Sequence, residues 1–414
     1  MVIGDLHRRL RHRSNGSHSD MPISRNLRHL RVFLTVSDVK SLTLASDICS
    51  VSQPAVSQTL HKLETEIGGQ LFKRTRQGAF PTERGEALSK RVRRAFALLD
   101  PVLKTLSPRL PVTATHTQLQ ALVAVADAEN FTLAAKRLGL SQPSIHRAVS
   151  QLESECNSTL FERAQHGMIP TKSALALVQA TRLAFAEFDQ ADADLAEFDG
   201  RDAGKIVIGA LPLSRSAILP KVLAKFRELR PRIAIEINDG PYEDLLTGLR
   251  RGAVDVIVGA LRTPAPIGDV NQQELFRDYL AFVCAPDHPL AGQKVELSEL
   301  TNRSWVVPRL GSPSRDQFDA YFKRSDTPRP ASIIESGSVL FMREMLLTAD
   351  FIACVSGAQA QAEIEKGLLA RIHVAGNWPG RAIGLTTRTD WEPTKSQSIL
   401  LDLLRSAAPI ENDL

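Results

Sequence analysis

Along residues 27–82 the apolar side chains recur at three- and four-residue intervals in short runs. Leu30, Phe33, Leu34 and Val36 mark a first helix. A second short helix follows, with Thr43 as its expected cap, because a hydroxyl there accepts from an orphan backbone N–H. Ser52 is the expected cap of a third. Pro54 is tolerated in its first turn, where no intrahelical bond is lost. Val56, Leu60 and Leu63 then form one buried stripe, and Ser57, Gln58, His61 and Lys62 lie off it. Leu71-Phe72, a polar turn around Gly78, and Phe80 predict a two-stranded wing. A long helix follows from Arg84 to about Leu106.

The same pattern then returns. Residues 116–171 align with 27–82 at a fixed offset of 89 without a gap, and 18 of the 56 positions are identical. The matches fall in blocks such as Thr43-Leu44-Ala45 with Thr132-Leu133-Ala134, and Ser52-Gln53-Pro54 with Ser141-Gln142-Pro143. Two copies are too few for a solenoid, so a duplicated small domain is the simpler reading. Lys172 to Phe198 gives the second copy its own long helix, Ala-rich and acidic in its distal half.

After a hinge at 199–204, short apolar runs alternate with helical ones. Strands are expected at 205–210, 233–237 and 254–258, with helices at 216–229 and 242–250 between them. This order implies a mostly parallel sheet with helices on both faces. A second set spans 280–357, and the chain returns through 360–406.

Charge sharpens this division. Residues 25–109 hold 15 Lys and Arg against 7 Asp and Glu, whereas 116–199 hold 6 against 11. The first copy is therefore the better partner for a polyanion. Two short helices joined by a tight turn, the second polar on its outer face, make a helix-turn-helix. Its second helix suits the major groove. Gln53 is suited to adenine, and Ser57 and Gln58 to neighbouring base edges. Lys73, Arg74 and Arg76 suit phosphates or the adjacent minor groove.

At this point the chain resembles the LysR-type transcriptional regulators from about residue 25 to 408. The resemblance rests on Leu42-Thr43-Leu44-Ala45-Ser46, Ser52-Gln53-Pro54-Ala55-Val56-Ser57-Gln58, Leu71-Phe72-Lys73-Arg74 and Pro81-Thr82-Glu83-Arg84-Gly85. It implies DNA contacts from Thr43, Ser52, Gln53, Pro54, Ser57 and Gln58 together with the wing cations. The family usually has one such module, and this chain has two. In the second, Gln142, His146 and Arg147 are candidate contacts, but Glu162 replaces Lys73. The acidic balance favours a structural or dimerising role for this copy over a second reader.

The expected architecture is thus α/β with a helical N-terminal half. It runs as a basic arm or a misassigned start before Met21 (1–24), winged helix-turn-helix 1 (25–82), linker helix 1 (83–110), winged helix-turn-helix 2 (116–171) and linker helix 2 (172–200). The last part, 204–408, resembles the periplasmic-binding-protein-like sensor of LysR regulators. Lobe I is expected at 204–264 with 358–408, and lobe II at 265–357. Ligands bind beyond the carboxyl ends of strands in such sheets, and a helix N-terminus there suits an anion. That rule selects Ser214, Arg215 and Ser216 after the first strand. Arg309, Ser312 and Ser314 face the same cleft from lobe II. The segment 304–313 resembles regulators of sugar uptake and catabolism.

The expected partners are double-stranded promoter DNA, a small-molecule effector, a second copy or three more, and RNA polymerase if the protein activates. No cofactor or metal is expected. Cys49, Cys156, Cys284 and Cys354 are far apart, without a CxxC pair, and read as core thiols in a reducing cytoplasm. No apolar run reaches the roughly 18 residues of a membrane span. No GxSxG, P-loop or HExxH occurs, so catalysis is not expected. A secreted solute carrier would explain only 204–408, and an architectural DNA protein only the N-terminal half.

Overall fold

The computed structural model describes residues 24–165, 167–265, 268–376 and 379–407. The basic-arm reading of 1–24 lies, apart from Ser24, outside the described residues. The chain divides into two compact units, one ending at Asp199 and one beginning at Gly200.

The first unit opens with α1 (Leu27–Val39), α2 (Leu42–Cys49) and α3 (Gln53–Ile67), then the wing β1 (Phe72–Thr75) and β2 (Gly78–Pro81). Asn26 caps α1, and Ser52 caps α3 with Pro54 in its first turn. The cap of α2 is Ser41 rather than Thr43: the Ser41 hydroxyl accepts from Leu44 N–H, and Thr43 lies inside the helix. Ser41 is extended (φ −138°, ψ 124°), as a cap must be, and the helix begins where Leu42 packs on the core. After α4 (Glu83–Leu106) and the short α5 (Leu110–Thr113), the order repeats. It runs through α6 (His116–Ala128), α7 (Phe131–Leu138), α8 (Gln142–Cys156), β3 (Phe161–Ala164), β4 (Gly167–Pro170) and α9 (Lys172–Phe198).

The repeat extends to individual bonds. The Glu64 carboxylate accepts from Leu71 and Phe72 N–H at 2.9 and 3.2 Å, and Glu153 accepts from Leu160 and Phe161 N–H at 2.8 and 3.2 Å. Each thereby ties its wing to the end of the third helix. At Gly78, φ is +144° and a Cβ would sit 2.3 Å from the Lys40 carbonyl oxygen. Gly167 is in the same conformation, 2.5 Å from that of Glu129. Only glycine lets the hairpin approach so closely.

The long helices α4 and α9 pack antiparallel: Arg84 reaches Asp199 at one end, and Phe96 meets Phe188 further along. Arg91 is buried in this seam. Its Nε donates to Asp194 at 2.7 Å, and its Nη1 donates to Glu187 at 3.1 Å and to the Gln190 side chain at 2.6 Å. Burial pulls the Arg91 pKa down, but bonding to Asp194 and Glu187 outweighs this and holds it above the ordinary value. Arg94 donates to Glu187 at 3.0 Å, and Arg25 to Asp189 and Asp192, each at 2.7 Å. The acidic half of α9 is thus engaged by cations of the first copy.

The second unit has two sheets. It runs β5 (Lys205–Ala210), one π-helical turn (Ser214–Ile218), α10 (Leu219–Leu229), β6 (Ala234–Asn238), α11 (Tyr242–Arg250), β7 (Val256–Ala260), β8 (Val270–Asp278), β9 (Leu280–Cys284) and β10 (Lys294–Val295). A 3-10 turn (Leu297–Leu300), β11 (Ser304–Val307), α12 (Pro313–Arg324), β12 (Ser332–Glu335), α13 (Val339–Thr348), β13 (Phe351–Ser356) and α14 (Gly357–Ile364) follow. The chain closes with β14 (Ala370–Val374), β15 (Arg381–Arg388) and α15 (Lys395–Ser406).

One sheet has the order β6-β5-β7-β15-β8 and the other β10-β14-β9-β13-β11-β12. The expected lobe limits need two corrections. Residues 270–278, expected in lobe II, form β8 of the first sheet, and 370–374, expected in lobe I, form β14 of the second. Both strands are placed by antiparallel pairing with distant partners, β8 with β15 and β14 with β9. The chain therefore crosses between lobes after Asp278 and returns before Arg381. These two residues are ion-paired at 2.7 Å.

Candidate nucleic-acid interface and effector cleft

On α3 the buried stripe Val56, Leu60 and Leu63 fixes which residues face outward. Gln53, Pro54 and Gln58 are exposed, as are Thr43 on α2 and Lys73, Arg74 and Arg76 on the wing. Ser52 is exposed, with its hydroxyl occupied by the cap. Ser57 is half-buried, and Arg74 Nη1 donates to its hydroxyl at 3.3 Å. That bond joins the wing to the face of α3, so the helix and wing present one polar, cationic surface. On α8, Ile145, Val149 and Leu152 are buried, while Gln142, His146 and Arg147 line an exposed face with Gln151. The His146 ring lies 5.3 Å from that of Phe131.

In the second unit the residues expected to bind an effector separate. Ser214 is fully buried, and its hydroxyl donates to the Leu211 carbonyl oxygen at 2.8 Å. Ser216 is exposed, and its hydroxyl donates to the Leu213 carbonyl oxygen at 3.5 Å. Arg215 is ion-paired with Asp239 at 2.6 Å. Ser312 caps α12, and its hydroxyl donates to Arg309 O at 2.7 Å. Arg309 itself is exposed. Ser314 is the one brought to the lobe junction, where its hydroxyl meets Arg381 Nη1. The segment 304–307 is an interior strand whose Trp305 is core, its Nε1 donating to Leu300 O at 2.9 Å.

Two further arginines stand at this junction. Arg262 follows the carboxyl end of β7. Gln272 clamps its backbone, accepting from its N–H and donating to its carbonyl oxygen, both at 2.9 Å. Its guanidinium lies 4.2 Å over the Tyr242 ring, and its Nη1 is buried without a hydrogen-bond partner. Burial lowers the Arg262 pKa, against the opposing charges of Tyr242, Glu243 and Asp316. Arg381 donates to Asp278 and to Ser314. The strand-end rule that selected 214–216 applies equally to β7 and could have found Arg262. No sequence signal marks Arg381. Among the described residues no group of three or more His, Cys, Asp or Glu is placed to hold a metal, and no helix is long and apolar enough to cross a membrane.

The family model for the LysR substrate binding domain matches residues 199–409. That for the bacterial regulatory helix-turn-helix protein, lysR family, matches 27–86 and again 116–175. The chain belongs to the LysR family. It is a DNA-binding transcription regulator with an effector-binding α/β domain, and regulators of this family bind promoter DNA and small effectors and form oligomers. It is 32% identical over 367 residues to the HTH-type transcriptional regulator GalR of Pseudomonas putida, covering 88% of this chain and 92% of that one. It is 26% identical to PcaQ of Agrobacterium fabrum over 70% of this chain and 94% of that one. Among solved structures, full-length OxyR C199D of Pseudomonas aeruginosa matches with a TM-score of 0.54 at 22% identity, covering 70% and 95%. CbnR in complex with its target DNA matches with 0.51 at 22%, covering 70% and 99%. These two share the fold.

Proposed function

We propose that this LysR-type regulator carries a duplicated winged helix-turn-helix, reads promoter DNA through α3, and responds to a small anion held between its lobes. The DNA reading is carried by the exposed Gln53 and Gln58 on a helix whose opposite face is core and whose wing is joined to it by Arg74 and Ser57. Both glutamines lie in its N-terminal turns, the part that reaches base edges. A footprint of the full chain on its own upstream DNA, at fixed salt, tests this. The Gln53→Ala/Gln58→Ala double variant should lose about tenfold or more in affinity, since each good bidentate contact is worth about 1–3 kcal/mol. Wild-type protection by that variant refutes the assignment.

The anion reading is carried by the buried, unpartnered Nη1 of Arg262. A buried guanidinium N–H without a partner is costly, and a ligand carboxylate or phosphate would satisfy it. Ser314 lies across the junction from Arg262, bonded to Arg381 of the neighbouring strand β15. A thermal-shift panel of small carboxylates, phosphates and neutral sugars should show anions raising the melting temperature of the wild type. Arg262→Met should abolish the shift while leaving the unliganded protein folded. Stabilisation by neutral sugars alone, or equal shifts in both proteins, would rule the anion out. A regulator of this kind works beside the chromosome, in the cytoplasm, by binding rather than catalysis.

A further inference from the structure

The two copies are not interchangeable, and they differ on the surfaces suited to DNA. Under the offset of 89 residues, Ser57 and Gln58 on α3 become His146 and Arg147 on α8. What holds the helix is retained: Ser141 caps α8 with Pro143 in its first turn, and Glu153 ties down the wing. Met168 N–H still reaches the Glu129 carbonyl oxygen at 2.8 Å, as Ala79 N–H reaches that of Lys40 at 2.9 Å. A copy kept as a spacer has no use for Gln142, His146 and Arg147 exposed on one face. The acidic balance of this copy does not oppose DNA there either. Glu187, Asp189, Asp192 and Asp194 engage the cations of the first copy at the α4–α9 seam. On α7, Lys136 and Arg137 replace Asp47 and Ile48, and Arg163 is kept in the wing, which offsets Glu162.

The helices α4 and α9 are equivalent under the same offset and pack antiparallel, which is the relation a local twofold gives. The Arg93–Asp38 pair at 2.6 Å in the first copy is matched by Arg182–Asp127 in the second. The ion pairs across the seam put cations on the first copy and anions on α9. The α4 positions that match Glu187, Gln190 and Asp194 are Leu98, Pro101 and Thr105, so two α4 helices packed together would bury Arg91 without a carboxylate, and the seam selects one helix of each kind.

We propose that one chain reads two unlike half-sites of duplex DNA, one through α3 and the other through α8. This rests on the reading of α3 given above. A glutamine pairs bidentately with adenine N6 and N7, and an arginine with guanine O6 and N7. At corresponding positions the α3 half-site therefore carries the adenine read by Gln58, and the α8 half-site a guanine read by Arg147. Palindromy in an operator mirrors identity of the two reading helices, and here that identity is broken.

Selection of duplexes from a random pool by the full chain tests this. The wild type should enrich two different half-sites about one helical turn, or a multiple of it, apart. The His146→Ser/Arg147→Gln variant gives α8 the pair found on α3, and both changes are at exposed positions. Its selected motif should move toward a palindrome, and its affinity for the wild-type motif should fall about 5- to 100-fold. A wild-type motif that is already palindromic, or contains one half-site, or is unchanged by the variant, overturns the inference and leaves the α3 reading standing. A motif unchanged by Gln58→Ala alone overturns the α3 reading, and the inference with it.

Discussion

Replacing Arg91 by alanine is expected to destabilise the first unit by about 3–5 kcal/mol, the usual cost of removing one partner from a buried ionic cluster. The Arg91 side chain is 4% exposed and that of Glu187 is 7%. Without the guanidinium, Glu187 keeps Arg94, but Asp194 and Gln190 lose a donor in a closed seam. Arg91→Lys should recover part of the loss, because an ammonium restores the charge without the planar fork that reaches three acceptors. The measurement is urea unfolding of the full chain followed by two probes. Trp305, Trp378 and Trp391 all lie beyond residue 200, so their fluorescence reports the second unit, while helical circular dichroism weights the first. The expected result is an earlier dichroism transition with an unmoved fluorescence transition. A loss below about 1 kcal/mol would mean that the seam is held by its apolar contacts, and the charge selection of α4 for α9 would fall with it.

Asp278→Ala should act as strongly on the second unit, again by about 3–5 kcal/mol. Asp278 is wholly buried where the chain leaves the first sheet. Its carboxylate accepts from Ser356 at 2.9 Å, from Ala358 N–H at 3.1 Å and from Arg381 Nη2 at 2.7 Å. Alanine orphans all three donors at once, one of them charged. The Asp278→Asn variant would keep an acceptor for Ser356 and Ala358 and should cost less, which separates the hydrogen bonds from the ion pair. Here the tryptophan transition should move. Because Asp278 and Arg381 lie at the two crossings between lobes, Asp278→Asn should also weaken the anion-induced thermal shift. Wild-type stability in Asp278→Ala would show that water takes over as acceptor for Ser356 and Ala358 and that Arg381 finds another partner.

Much of the N-terminal half was legible in the sequence because its signals are local. Ser52 with Pro54 in the first turn of a helix, the stripe Val56, Leu60 and Leu63, and the glycine in each wing are set by neighbours within a few residues. Thr43 shows the resolution of such reasoning. Ser41 and Thr43 both carry capping hydroxyls, and which one caps depends on where Leu42 meets the core. The strand β8 was missed because Asn271, Gln272, Gln273 and Glu274 give no alternation of apolar and polar residues. Its register also shifts opposite Ile383 and Gly384, which breaks the two-residue period. Of the residues chosen for the effector, Ser214 is buried, because the π turn points its hydroxyl back at the Leu211 carbonyl oxygen, and that turn has no mark in the sequence.

The sequence by itself determined the internal repeat, the two capped third helices with their wings, the alternation that builds the α/β unit, and membership of the LysR family. Each of these depends on residues close in the chain or on a repeat visible along it. Only the tertiary structure decided which charges meet. The acidic residues of α9 pair with Arg25, Arg91 and Arg94 from far earlier in the chain, and this removes the apparent case against DNA at the second copy. The tertiary structure also moved β8 and β14 between lobes and brought Arg262, Ser314 and Arg381 to one junction. Strand order and ion pairing over such separations are set by how packed surfaces close on one another, and periodicity along the chain carries no record of that.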